Sequence, residues 1–502
     1  MLEKIDLSKK MKKAEYKEEI NKLSVKLGEL QRICQSAKIP VMIVFEGLDA
    51  SGKGVQIGKL IQALDPRGFE VFAVKKETEE EKYYPYMKRF WTKIPEHGKV
   101  SIFDTSWYRK VLGERFENQM SADEVARAYH VIQSFEKELT DDRMVIIKLF
   151  LYIDKREQRK RFEKLADSKE TKWRVTGDDW RRNEEYDAYL KVNEEMLAKT
   201  DTDFAPWTIV EATDKRYAAV KIYKTVIHAL ETAVKKQPEP DETAPELDEK
   251  KTESVLNKAD LSLAYTKEEY EKKKKKLQKE LTGLHGELYR RRIPMILGFE
   301  GWDAGGKGGA IKRLTQALDP RGYVVIPTAA PNDWEKKHHY LWRFWVKMPK
   351  KGHITIFDRT WYGRVMVERI EGFCTKREWK RAYKEMNEME EQLSDSGAIV
   401  MKFWMQIDKD EQERRFKERQ ANPEKQWKIT DEDWRNREKW DLYERAVEEM
   451  LVKTSTPSAP WIIVEGNNKY YARIKVLETV VDAIQKRIAQ EKENKSGLVR
   501  FF

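Results

Sequence analysis

The feature that most constrains this chain is that it repeats itself. VMIVFEGLDASGKG at 41–54 lines up with MILGFEGWDAGGKG at 295–308, LDPRG recurs, and IFDTSWY at 102–108 returns as IFDRTWY at 356–362. Lys53 and Lys307, Asp104 and Asp358, and Trp207 and Trp461 are all 254 residues apart, so the halves align without a gap between these points. A period this long excludes a solenoid, whose repeats run to about 50 residues. It predicts a tandem duplication: a first domain over 1–236, a linker over 237–256 and a second domain over 257–502. The linker, QPEPDETAPELDEKKTESVL, replaces apolar periodicity with prolines and acids, which cannot support a packed core.

Within each copy, short apolar runs such as PMILGF, YVVIP, HITIFD and PWIIVEG alternate with longer helix-patterned stretches. Short runs bounded by turn residues suit buried parallel strands, and the lengths between them suit crossover helices. The expected fold class is α/β: two tandem kinase-like domains, each a doubly wound parallel sheet flanked by helices and carrying a helical lid. Ligands of such sheets sit outside the carboxyl ends of the strands. Each copy opens on a basic helix pattern, roughly 10–37 and 265–292, and KKKKK at 272–276 reads as its solvated face.

FEGWDAGGKG follows a predicted strand and opens a predicted helix, the context in which loop amides and a helix N-terminus converge on an anion. Gly301, Ala304, Gly305, Gly306 and Gly308 would shape this phosphate-binding loop, and Lys307 would add a point charge. Gly308 stands where such loops normally carry the Ser or Thr that holds magnesium. Asp303 lies inside the loop, where a carboxylate beside phosphates is repulsive unless a cation sits between them. The expectation is that Asp303 takes over the metal-holding task together with Asp358, which ends a later apolar strand; the ion would be Mg²⁺, with Mn²⁺ as an alternative. Arg359, next in the chain, is the candidate electrophile, and Arg364 and Arg369 follow it as candidate phosphate ligands. Further on, Arg414, Arg415, Arg419, Lys425 and Lys428 cluster around Asn422-Pro423 as in a helical hairpin, a lid that supplies charge and excludes water. Trp427, Trp434 and Trp440 read as packing anchors, and His338-His339 as a surface pair.

The net charge of +11 calls for an anionic partner, whether nucleic acid, membrane or a phosphate-rich molecule. No apolar run approaches the roughly 20 residues of a membrane span, and no recognised nucleic-acid module is present. Cys34 and Cys374 are too few for a disulfide framework, so two unpaired thiols in a cytoplasmic protein are expected.

At these residues the sequence resembles the polyphosphate kinase 2 family, whose loop has the form G-x-D-x-x-G-K-G and whose second motif has the form F-D-R-[ST]-W-Y. Here they stand as Gly301 to Gly308 and Phe357 to Tyr362, and the likeness covers almost the whole chain twice. Within that family the tandem arrangement resembles the class that makes ADP from AMP and inorganic polyphosphate with Mg²⁺. The resemblance implies direct transfer of the terminal phosphate, with the polymer in a basic channel beneath the lid, and leaves a homo-oligomer open. The first copy keeps Asp49, Lys53 and Asp104, but Thr105 replaces the motif arginine and Leu165 stands in place of Arg419. The second copy is therefore the expected catalyst, and the first is binding or vestigial. Two other readings compete: an ATP-dependent nucleoside monophosphate kinase of the thymidylate kinase type, whose loops resemble FEGLDASGKG, and a non-enzymatic polyanion binder.

Overall fold

The computed structural model describes residues 2–117, 120–236, 254–424, 426–429 and 431–499. Most of the predicted linker lies outside these residues. Its last three do not: the Val255 and Leu256 amides donate to Glu448 at 2.8 and 2.9 Å, and Leu256 is buried. The Leu2 amide donates to Glu194 in the same way in the first copy.

Two compact units emerge. One comprises Met1–Thr78, Arg89–Glu239 and Asp333–His339, and the other Glu79–Lys88, Pro240–Asn332 and Tyr340–Phe502. The first unit holds strands β1 (Val41–Gly47), β2 (Phe69–Ala73), β3 (Val100–Asp104), β4 (Val145–Tyr152) and β5 (Trp207–Glu211) in the order β2-β3-β1-β4-β5. Every pairing is parallel. The second unit repeats this with β6 (Met295–Gly301), β7 (Tyr323–Pro327), β8 (Ile354–Asp358), β9 (Ile399–Gln406) and β10 (Trp461–Glu465), again all parallel.

The sequence explains this arrangement. VMIVFEG and IVMKFWMQ are apolar on both faces because helices cover both sides of a parallel sheet. The first and last helices of the second unit, Lys267–Arg291 and Lys469–Val499, pack over β6 and β9 through Leu281, Leu288, Leu477 and Ile484. A capping box, Thr266 with Glu269, starts the first of them. Within the lysine run on that helix, Lys272, Lys275 and Lys276 face solvent. The central strand, β1 or β6, lies where the sheet order reverses, so the loop after it opens onto the crevice such sheets use for ligands.

The histidine expectation is corrected: His338 and His339 are buried, 7% and 2% exposed, with His338 Nδ1 at 3.0 Å from the Trp334 carbonyl and His339 packed on Trp91. Both cysteines are free and buried, and burial pushes the Cys34 thiol up to about 11 and that of Cys374 up to about 12. Among the described residues, no helix is long and apolar enough to cross a membrane.

Candidate active site

The loop after β6 is fixed by steric necessity. Gly301 has φ +145°, and a Cβ there would lie 2.6 Å from the Met405 carbonyl oxygen. Gly306, at φ +110°, turns the chain into the helix Lys307–Thr315. At Gly308 an added Cβ would meet nothing within 4 Å, so the missing hydroxyl is not excluded by space. Arg415 braces the loop from behind: Nη1 donates to the Ala304 carbonyl at 2.8 Å, Nη2 to those of Gly466 and Asn467 at 2.6 and 3.1 Å, and Nε to Glu411 at 2.5 Å.

The predicted catalytic residues converge on this loop. Lys307 Nζ donates to the Gly301 carbonyl at 2.6 Å and that of Trp302 at 3.3 Å, and burial pushes its ammonium down despite the opposing charge of Asp303. Asp358 ends β8, the neighbour of β6. Arg359 follows it with φ +66°, its amide donating to the Phe299 carbonyl at 3.0 Å and its Nη2 standing 3.3 Å from Asp303 Oδ1. The other Asp303 oxygen accepts from Asn436 Nδ2 at 3.2 Å, and the Asp303 carbonyl accepts from Gln412 at 3.1 Å. Behind the loop, the buried Glu300 accepts from the amide and hydroxyl of Thr360 at 2.6 and 2.8 Å and so ties the loop strand to the Asp-Arg turn.

Not every predicted phosphate ligand reaches the loop. Arg369 is 1% exposed, donates to Glu449 at 2.7 Å and to the Tyr383 hydroxyl at 3.1 Å, and lies 3.7 Å from the Trp379 ring centroid. The structure places it in the core, so its phosphate-binding assignment is corrected to a packing role. Arg364 pairs with Glu368 at 2.9 Å beneath the Tyr340 ring. Arg414 is exposed and pairs with Glu411 and Glu418 on its own helix. Arg415 spends most of its donors on the Ala304, Gly466 and Asn467 carbonyls and on Glu411, so it shapes the loop as well as lining the space beside it. Lys425 lies outside the described residues, and so does the side chain of Lys428.

The lid is the hairpin of helices Lys409–Gln420 and Asp431–Glu438. Trp434 packs edge-on against Phe416 inside it, and Trp440 stacks on loop residue Trp302 with centroids 3.7 Å apart and planes 11° from parallel. These two are packing anchors as expected. Trp427 differs: it is 75% exposed at the hairpin tip.

Between loop and lid lies a cavity of about 210 Å³, lined by Gly306, Arg415, Arg419, Lys469 and Arg473 and by one acid, Glu418, which stands 3.7 Å from Lys469. Lys469, Arg473 and Asn436 were not singled out from the sequence. Comparing the copies points to two of them, because Arg473 faces Ala219 in the alignment and Asn436 faces Arg182, but not to Lys469, which faces Lys215.

The first copy keeps the scaffold. Lys53 Nζ donates to the Gly47 carbonyl at 3.0 Å, and Arg161 braces the loop through Ala50, Ser51, Ala212 and Thr213 carbonyls. Thr105 occupies the arginine's place with nearly the same backbone, φ +65°. Asp49 accepts from Arg182 Nε at 2.6 Å.

A duplicated parallel α/β unit with a lysine-bearing glycine loop, a carboxylate in that loop and an Asp-Arg turn on the adjacent strand defines the class. The polyphosphate kinase 2 family model matches residues 10–238 and 264–492, and the chain belongs to that family. It is 39% identical to a polyphosphate:AMP phosphotransferase of Pseudomonas aeruginosa, over 98% of this chain and 100% of that one. A protein of the same name from Acinetobacter johnsonii is 35% identical over 90% of this chain and 92% of its own length. The fold superposes with a TM-score of 0.86 on a crystal structure described as a putative polyphosphate kinase 2 from Pseudomonas aeruginosa, at 38% identity, covering 98% of this chain and 100% of that one.

Proposed function

We propose that the chain moves the terminal phosphate of inorganic polyphosphate to AMP, giving ADP, at the site of the second copy. One observation carries this reading: Lys307, Asp303, Asp358 and Arg359 meet at the ends of β6 and β8 beside a cavity lined by four cationic side chains and one acid, in a chain similar over 98% of its length to a protein named for that reaction.

A phosphate oxygen of AMP attacks the terminal phosphorus of the polymer; the new P–O bond forms as the bridging P–O bond breaks, and the shortened chain leaves with the electron pair. A phosphate monoester with a second pKa of about 6 is already largely deprotonated near neutral pH, so no strong general base is required. Catalysis rests on alignment and charge neutralisation. The loop amides and Lys307 hold donor phosphates, and an arriving polyanion favours the charged lysine that burial disfavours. Arg359, 57% exposed and 3.3 Å from Asp303, has the forked donors to stabilise the phosphoryl oxygens. Arg419, Lys469 and Arg473 suit the further phosphates of a polymer, which a nucleotide donor would not supply.

Asp303 and Asp358 would hold Mg²⁺, or Mn²⁺ on the same oxygen donors. With two protein carboxylates, such an ion would take its remaining ligands from phosphates and water. When bound, such an ion would neutralise phosphate charge. The reading places the activity in the cytoplasm, where thiols such as Cys34 and Cys374 stay reduced. The test is a coupled assay of purified protein with AMP, long-chain polyphosphate and Mg²⁺ in the absence of ATP. ADP formation is expected, whereas a strict requirement for ATP would favour the nucleoside monophosphate kinase reading.

A further inference from the structure

The loop aspartate of each copy has an arginine partner, but the arginine comes from a different element in each. In the second copy it is Arg359, at the end of β8, and the lid contributes the neutral Asn436. In the first copy the strand end carries Thr105, and the lid helix Gly177–Glu184 contributes Arg182 at the position aligned with Asn436. The two contacts differ in length and exposure. Arg182 is 19% exposed, its Nε is 2.6 Å from Asp49 Oδ2, and its Nη2 is 2.8 Å from Asp179, so its charge is enclosed between two carboxylates. Arg359 is 57% exposed and its contact with Asp303 is 3.3 Å.

A neutral amide donor orients a carboxylate without adding to the positive charge around it; an enclosed guanidinium adds a fixed cation that must be displaced before another can bind. We propose that this one lid position decides which copy's loop can take a divalent cation: Asn436 is a positioning residue that presents Asp303, and Arg182 is a built-in cation that closes the loop of the first copy. The inference rests on the reading of Asp303 as a metal-holding residue. It goes beyond that reading by assigning the difference between the copies to a residue outside both motifs.

The test is Mn²⁺ binding to the full-length protein, followed by electron paramagnetic resonance with tripolyphosphate as the phosphate probe, on wild type, Asp303→Asn, Asn436→Arg, Asn436→Gln and Arg182→Asn. Asn436→Arg is expected to weaken Mn²⁺ binding by at least about tenfold, the size of effect an adjacent cation has on a carboxylate. Asn436→Gln, which keeps a neutral donor, is expected to stay within roughly threefold of wild type. Arg182→Asn is expected to add a second bound Mn²⁺ per chain. A purely structural ion pair would change thermal stability in Arg182→Asn without changing the Mn²⁺ count, and that result overturns the proposal. Wild-type binding by Asn436→Arg overturns it too. If Asp303→Asn binds Mn²⁺ like wild type, the metal reading fails and the inference falls with it; if Asp303→Asn loses Mn²⁺ while Asn436→Arg keeps it, the inference alone fails.

Discussion

Thr105 and Arg359 show what a single side chain carries at this site. Both sit at positive φ, and both amides donate at 3.0 Å to the carbonyl of the residue just before the buried glutamate, Phe45 or Phe299. A left-handed backbone costs a residue with a Cβ on the order of 1–2 kcal/mol, and a β-branched threonine is especially ill suited to it. Thr105→Gly should therefore stabilise the protein by about 1 kcal/mol in denaturant unfolding; a loss of stability would show that the threonine side chain makes a compensating contact. Arg359→Ala should lower kcat by about 10³-fold, in the range of arginines that act on phosphoryl transfer, and a loss of less than tenfold would remove it from the reaction. Glu46, buried behind the loop of the first copy, offers a pH test. Burial pushes its carboxyl up to about 7 against the pull of Lys53 and the Ser106 donors. The folded state thus keeps a proton that the unfolded chain releases near 4.5, so this contribution is full below pH 4.5 and is lost as pH rises to about 7. Its size is about 3 kcal/mol. Glu46→Gln should flatten the pH dependence of unfolding free energy across that window, and an unchanged slope would contradict the assignment.

At the scale of elements, the loop is held by the lid helix behind it. Arg415 satisfies three carbonyls with one planar fork, a geometry that lysine cannot reproduce. Arg415→Lys should lower stability by about 2–3 kcal/mol and turnover with it, while Arg414→Ala, at an exposed ion pair, should change stability by less than about 1 kcal/mol. Unfolding curves measured beside steady-state rates separate the two. The same arginines show how far the sequence could be read. The strands and the loop were legible because apolar runs and glycine spacing are local signals, and Lys307, Asp303, Asp358 and Arg359 stand on them. The direction of a lid arginine is not local. Arg414 and Arg415 are adjacent in one helix, yet one faces solvent and the other the loop, a rotation set by tertiary contacts such as Phe416 on Trp434 and Gln412 on the Asp303 carbonyl. The core placement of Arg369 is hidden for a similar reason: its partner Glu449 is 80 residues away. The cavity cations Lys469 and Arg473 were missed because they stand on the last helix, far from any motif.

At the scale of the molecule, duplication has left two copies of one scaffold with different charges placed on it. The braces Arg161 and Arg415 are common to both, as are the buried lysines Lys148 and Lys402, each paired with a glutamate and a tyrosine hydroxyl. What differs lies at the mouth of the loop: Arg359 against Thr105, Arg419 against Leu165, Arg473 against Ala219 and Asn436 against Arg182. A fold can be retained while its chemistry is lost, because packing and catalysis rest on different side chains. The most direct measurement of this account is ADP formation from AMP and polyphosphate, without ATP, by Lys53→Ala and Lys307→Ala in parallel. Lys53→Ala should keep most of the wild-type rate and Lys307→Ala should have none; equal loss in both, or an undiminished rate in Lys307→Ala, would contradict it.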